Sequence, residues 1–223
     1  MDVAIFDLDG TLVDTAPDII DALNRTLSDL DLAPVDDATG RSFIGGGARK
    51  LVADGLAEAT RRPPEENAID DAYARFIDYY TQKSATRSAL YPGVRDALDA
   101  LADTGFAMGV CTNKPHALSL DVLEAFDLRR YFRAVIGGDV LKERKPAAGH
   151  LLETARRTAP EFSRAVMIGD SLNDVTASRN AGIPVVVVDY GYTVTPAKEL
   201  GADAVISDMR ELVALFPTFW KAA

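Results

Sequence analysis

Asp7 and Asp9 stand two positions apart at the end of an unbroken apolar run, Val3-Ala4-Ile5-Phe6. Four consecutive apolar residues without alternation suit a strand buried on both faces, as in a parallel sheet. If the chain stays extended past Phe6, both carboxylates point the same way. At ~6 Å and an effective dielectric of ~20 they repel by about 2.8 kcal/mol, equivalent to ~2 pKa units. Such a pair needs a cation between its members or a proton on one of them. A nucleophile beside a proton donor, next to a metal, asks for that arrangement. Asp9-Gly10 taken alone reads equally well as a turn after a strand, so the rest of the chain has to decide.

The elements that would position this pair follow in order. Asp14 or Thr15 can cap a first helix, Pro17 suits its first turn, and Ile19, Ile20, Leu23, Leu27 and Leu30 recur at helical spacing. Gly45-Gly46-Gly47 precedes a second helical pattern from Ala48, and Glu65 to Thr81 reads as a third, with no convincing strand between Thr15 and Ala85. From Tyr91 the pattern changes to alternation. Strands are expected at 106–111, 134–136, 165–168, 185–188 and 204–206, separated by helices, the last of them from Asp208 to Phe216. Alternating strands and helices imply right-handed crossovers and a covered parallel sheet, which binds ligands beyond the C-terminal ends of its strands. The residues at those ends are Asp7 and Asp9, Thr112 and Asn113, and Gly169 and Asp170. The expected fold is α/β: a Rossmann-like parallel sheet core, residues 1–14 and 86–223, with a small inserted all-helical cap, residues 15–85. The cap's two junctions are hinge candidates for a lid.

A net charge of -10 argues against nucleic acid or an anionic membrane surface as partner. One cysteine, Cys111, excludes an internal disulfide. The N-terminus lacks a basic segment followed by an apolar core, and no apolar run is long enough to span a bilayer. The expectation is a cytoplasmic protein.

Four segments together resemble the haloacid dehalogenase superfamily of phosphohydrolases: Asp7-Leu8-Asp9-Gly10-Thr11, Thr112 after Gly109-Val110-Cys111, Lys145-Pro146, and Gly169-Asp170-Ser171-Leu172-Asn173-Asp174. Their order and approximate spacing agree with the superfamily, whose core covers most of 1–14 and 86–210. The resemblance implies that Asp7 attacks phosphorus to form an aspartyl phosphate and that Asp9 is the acid for the leaving alcohol, then the base for water. It implies that Thr112 holds phosphoryl oxygens and that Lys145 offsets their charge. It brings in Mg²⁺, held by the Asp7 carboxylate, the Asp9 carbonyl and Asp170, with Asp174 an outer partner. Capping of a following helix is the ordinary alternative for Asp170-Ser171 and Asp174. Lys145, a lone lysine before a proline, would otherwise read as solvated surface. Asp9 itself argues against dehalogenation, because the resemblance implies that dehalogenases lack the second aspartate. The resemblance also implies a small phosphorylated metabolite as partner, with a monomer or homodimer expected.

Within the superfamily the resemblance runs toward the phosphoglycolate phosphatases, through the first and fourth motifs and the segment Phe43-Ile44-Gly45-Gly46-Gly47-Ala48-Arg49-Lys50-Leu51-Val52. The substrate residues expected are Thr112, Asn113, Lys145, Gly46 and Arg49. A glycine run at a helix start can present N–H groups to an anion, and Arg49 can pair with a small carboxylate. A solvated helix face for Arg49 and Lys50, and a plain turn for the glycines, are the competing readings. A sugar phosphate or pyrophosphate is the competing substrate. A sugar-phosphate mutase and a non-catalytic receiver-like module rank lower, the latter because it needs neither Asp9 nor a helical insert. Phosphonoacetaldehyde hydrolysis would need a cap lysine, for which Lys50 and Lys83 are poor candidates. Cys111 reads as core, His116 and His150 as helix surface or cap, and Phe216, Phe219 and Trp220 as packing of the last helix or a subunit contact.

Overall fold

Strand β1 (Asp2–Phe6) occupies the centre of the protein, as its apolar run requires. In this computed structural model, which describes residues 1–219, Val3 through Phe6 have no solvent exposure. Alternate side chains serve opposite cores: Ala4 and Phe6 face one layer, Val3 and Ile5 the other. That period of two is what a strand buried on both faces must do with an all-apolar sequence.

The sheet has six strands. In chain order they are β1, then β4 (Ala107–Cys111), β5 (Phe132–Ile136), β6 (Arg164–Gly169), β7 (Val185–Val188) and β8 (Ala204–Ile206); across the sheet the order is β5-β4-β1-β6-β7-β8, every pairing parallel. Helices α5 (Val94–Asp103), α6 (His116–Ala125) and α9 (Leu212–Phe219) contribute to the core on one face, and α7 (Ala148–Thr158) and α8 (Leu172–Ala181) to that on the other. The chain leaves β1, builds β4 and β5 on one side, then crosses back to lay β6 on the other. β1 is therefore flanked by strands that run away in opposite directions of the sheet, and a crevice opens above the C-terminal ends of β4, β1 and β6.

Between β1 and α5 the chain forms four further helices: α1 (Ala16–Ser28), α2 (Asp37–Ser42), α3 (Ala48–Thr60) and α4 (Glu66–Gln82). They share their own apolar cluster, in which Leu23, Leu27, Val52, Phe76 and Tyr80 are buried, and Leu118 of α6 joins it from below. The short α2 departs from expectation. Asp36 caps it by accepting from Thr39 N–H at 2.9 Å, but six residues including Gly40 leave too little periodicity to read.

The junctions also hold structure that alternation over two residues cannot announce. Strands β2 (Val13–Asp14) and β3 (Ala89–Leu90) pair antiparallel beneath the insert. The second junction is fastened to the first turn of α1, where Asp18 accepts from Arg87 N–H at 2.9 Å and from Ser88 N–H and Oγ at 2.8 and 2.6 Å. Phe216 of α9 packs on Phe106, ring centroids 4.9 Å apart, and is buried, while Trp220 and the Phe219 side chain lie outside the described residues. No helix among the described residues is long and apolar enough to cross a membrane.

Candidate active site

The ladder of β1 continues into Asp7, whose N–H donates to Ile168 O at 2.8 Å. The backbone then turns, and Asp7 Oδ1 accepts from Leu8 N–H at 2.7 Å. Gly10 makes the turn possible. It sits at φ +81°, and a Cβ there would lie 2.5 Å from Asp170 Oδ2, so the loop after β1 can press against the end of β6 only with glycine at this position.

Lys145 is the electrostatic centre of the crevice. Its Nζ lies 2.9 Å from Asp7 Oδ2 and 2.6 Å from Asp174 Oδ1, with all three side chains buried. Burial alone would pull the lysine pKa down, but the two carboxylates outweigh it and hold the ammonium charged. The solvated surface position that the sequence allowed is thereby excluded. Asp174 does two jobs at once: Oδ1 receives Lys145, while Oδ2 accepts from Ser171 N–H at 3.1 Å and Oγ at 2.7 Å, starting α8.

Carboxylate oxygens of Asp7, Asp170 and Asp174 lie within 4.8 Å of one another, all buried. Burial, opposed by Lys145 and reinforced by Asp174, pushes Asp7 up to about 6. Burial, then Asp174 and Asp7, raises Asp170 well above the usual carboxylate range. Among the described residues Asp170 has no ion-pair partner; it is held by Tyr192 N–H at 2.7 Å and Thr11 Oγ1 at 3.4 Å. Three buried carboxylates against one ammonium are short of positive charge. An all-oxygen set with that deficit fits a hard divalent cation such as Mg²⁺.

Asp9 is turned toward the helical insert. Its Oδ1 accepts from Thr15 Oγ1 at 2.6 Å and from Lys114 Nζ at 3.0 Å, with Oδ2 at 3.3 Å from the same ammonium. Thr15 thus starts α1 but spends its side chain on Asp9 rather than on a cap. Thr112, at the end of β4, is buried, donates its N–H to Ile136 O and receives Lys114 N–H on its hydroxyl at 3.3 Å. Asn113 reaches across to the insert, its Nδ2 2.9 Å from Gly45 O and 3.0 Å from Lys145 O. Asn173 donates to the same Gly45 carbonyl at 3.2 Å.

A cavity of about 30 Å³ separates the strand ends from the insert and is lined by Asp7, Asp9, Thr112, Asn113 and Lys114 below. Gly45 and Gly47 line it from above; Gly46 does not, and a Cβ there would meet the Lys50 side chain instead. Arg49 is likewise not brought to the cavity. It starts α3 on the outer face and binds Glu66 at 2.8 Å and Asp70 at 2.6 Å of α4. Lys50 pairs with Asp54 one turn on. Two acidic partners on the neighbouring helix capture the guanidinium locally, and nothing in the segment 43–52 foretells them.

His150 is fully buried, not a surface or cap residue: Nδ1 accepts Lys145 N–H at 3.2 Å and Nε2 faces Ile136 O at 3.3 Å. Burial, then the Lys145 charge, pushes its pKa down to about 4. His116 does begin a helix, and Cys111 is core, its thiol pushed up to about 12 by burial. Lys114, which lines the cavity and binds Asp9, is a site residue absent from those expected from the sequence. A lysine before proline after a strand reads as solvated, and the one available signal was its place two residues after Thr112, on the same side of an extended chain.

A model of the haloacid dehalogenase-like hydrolase family matches residues 4–188, which include most of β1, the helical insert and the sheet through β7. The chain belongs to this family. It is 44% identical to the phosphoglycolate phosphatase of Agrobacterium fabrum over 96% of this chain and 92% of that protein. Among solved structures it is similar to a predicted phosphoglycolate phosphatase from Haemophilus somnus, with a TM-score of 0.87, 30% identity and 96% of each chain covered. It is also similar to CbbY from Rhodobacter sphaeroides, crystallised with phosphate, with a TM-score of 0.74, 26% identity, and 94% of this chain and 95% of that one covered. This haloacid dehalogenase-like protein is a phosphoric monoester hydrolase that resembles phosphoglycolate phosphatase.

Proposed function

We propose that the protein hydrolyses 2-phosphoglycolate to glycolate and inorganic phosphate, with Mg²⁺, through a phosphoryl group carried on Asp7. The observation that supports the chemistry most directly is the meeting of Asp7, Asp9, Thr112, Lys145, Asp170 and Asp174 at the ends of three adjacent strands.

Asp7 attacks phosphorus as the bond to the glycolate oxygen breaks, and Asp9 gives that oxygen its proton. Asp9 then takes a proton from water, which attacks phosphorus and releases the Asp7 carboxylate. Acid–base assistance of this kind contributes roughly 10²–10⁴-fold. Thr112 and the backbone around it donate to phosphoryl oxygens, and Lys145 neutralises charge shared between them and Asp7. Asp7, the Asp9 carbonyl and Asp170, with Asp174 as an outer partner, would hold a Mg²⁺ ion, which would supply the positive charge that the carboxylate cluster lacks. Residues 15–85 act as a lid over core 1–14 and 86–223, hinged at the β2–β3 ribbon and latched through Gly45.

The lid side of the cavity supports a small substrate. Ile19, Ile44, Ala48, Leu51 and Phe76 line it, with Tyr80 the one polar side chain that the insert contributes among the described residues. A sugar phosphate would bury several hydroxyls against aliphatic groups, at a cost for each one left unpaired.

The test is phosphate release from 2-phosphoglycolate, pyrophosphate, several sugar phosphates and p-nitrophenyl phosphate, with Mg²⁺ and with EDTA. Metal-dependent kcat/KM highest for 2-phosphoglycolate is expected. A maximum on another ester would discard the substrate and keep the Asp7–Asp9 chemistry.

A further inference from the structure

We propose that Lys114, with the hydroxyl of Tyr80, is the specificity-determining anchor for the carboxylate of the substrate, in the place that sequence resemblance gave to Arg49. This deepens the phosphoglycolate reading above and rests on it.

Lys114 follows β4 in the core, and Tyr80 comes from α4 in the insert. The Lys114 side chain is 2% exposed, its ammonium binds both Asp9 oxygens and the Tyr80 hydroxyl, and it stands 4.4 Å above the centre of the Tyr80 ring. Among the described residues it is the one cation that lines the cavity. Lys145 does not line the cavity and is paired with Asp7 and Asp174, and Arg49 is held by Glu66 and Asp70 on the outside.

Connectivity of the substrate then decides what Lys114 meets. Asp9 must reach the ester oxygen that leaves. In 2-phosphoglycolate that oxygen is bonded to a CH₂ whose only other heavy-atom substituent is the carboxylate. A group that touches Asp9 on the lid side is therefore next to the carboxylate once the phosphoryl group is at Asp7. Thr15 and Lys114 both touch Asp9, and of the two it is Lys114 that lines the cavity and carries a charge. Burial raises the Tyr80 pKa well above its usual value, so the phenol keeps its proton and can donate beside the ammonium. The remaining lid surface is aliphatic, which strengthens a single charge-assisted contact and leaves a neutral, polar substituent without partners.

A buried ammonium is a poor stabilising device, since a well-packed apolar residue of similar volume commonly serves as well or better. Its presence at the cavity wall, shared between core and insert, is explained by a ligand with a second negative charge. Because the anchor is built from both halves, an acid-bearing ester would draw the lid onto the core.

The experiment compares wild type, Lys114→Met, Lys114→Arg and Tyr80→Phe on 2-phosphoglycolate and on ethyl phosphate, which lacks the carboxylate. Lys114→Met should lower kcat/KM for 2-phosphoglycolate by about 30-fold more than for ethyl phosphate, with Lys114→Arg recovering part of the difference. Tyr80→Phe should lower the same preference about threefold to tenfold. A second measurement needs no turnover: wild type should bind 3-phosphonopropionate more tightly than propylphosphonate, and Tyr80→Phe should narrow that gap. Equal losses on both esters in Lys114→Met, from a wild type that prefers 2-phosphoglycolate, would overturn this proposal alone and make Lys114 a positioning residue for Asp9. A wild type without preference between the two esters would remove the substrate reading and this proposal together.

Discussion

Tyr192 joins Asp170 to the hinge of the helical insert. Its backbone N–H donates to Asp170 Oδ2 at 2.7 Å, while its hydroxyl receives the N–H groups of Thr15 and Ala16 at 2.7 and 3.0 Å and donates to Asp14 Oδ1 at 2.8 Å. Asp14 also holds Arg41 of α2 at 3.0 Å. One side chain thus satisfies the buried start of α1 and ties it to the candidate metal site. Tyr192→Phe leaves the buried Thr15 N–H without its acceptor and takes one donor from Asp14, which keeps Arg41 and the Ala16 N–H at 3.3 Å, at a cost of about 1–3 kcal/mol. Thermal unfolding should shift down by roughly 2–10 °C. An unchanged midpoint would show that water replaces the hydroxyl freely.

Lys145→Met should be far more damaging to turnover than to secondary structure. Removing the ammonium leaves Asp7 and Asp174 buried and mutually repelling, a loss of roughly 3–5 kcal/mol in stability. It also removes charge compensation at the phosphoryl group, and kcat should fall by about 10³-fold or more. Denaturant titration and phosphate release read the two effects separately. A variant with near-wild-type kcat would take Lys145 out of the reaction.

His150 gives a pH signature to the fold. Its folded-state pKa of about 4 lies below the ordinary histidine value of 6.5, so the neutral ring is favoured on folding. This contribution is fully present above about pH 6.5 and is lost as pH falls toward 4, amounting to about 3 kcal/mol. The slope of stability against pH between 6.5 and 4.5 should be smaller in His150→Gln than in wild type. Identical slopes would show that the ring is not held neutral.

The carboxylate cluster gives the opposite slope when metal is absent. With Asp7 raised to about 6 from 3.8, its contribution favours the folded state at low pH and is lost as pH rises through 6. Mg²⁺ needs the ionised carboxylates, so its stabilising effect should grow over the same interval. Saturating Mg²⁺ is expected to contribute about 3 kcal/mol at pH 7.5 and clearly less at pH 5. Equal shifts of Tm at both pH values would count against Asp7 in the metal set.

What the sequence made legible was whatever repeats or alternates. Val185–Val188 and Ala204–Ile206 lie where their apolar runs put them, and the ends of β1, β4 and β6 carry Asp7, Thr112 and Asp170 as the alternation requires. Illegible were features set by partners distant in the chain. The β2–β3 ribbon is two residues wide on each side. Arg49 was captured by Glu66 and Asp70, 17 and 21 positions on, and Lys114 was buried by Tyr80 and Asp9 at separations of 34 and 105. His150 became a buried acceptor because the loop at Lys145 folds back onto α7.

The most direct test of the central claim is phosphate release from 2-phosphoglycolate by Asp7→Asn, measured with Mg²⁺ beside wild type, with circular dichroism to verify the fold. If Asp7 is the nucleophile, the folded variant retains less than about 10⁻³ of the wild-type kcat. A folded Asp7→Asn that turns over within tenfold of wild type would contradict an aspartyl phosphate at this position.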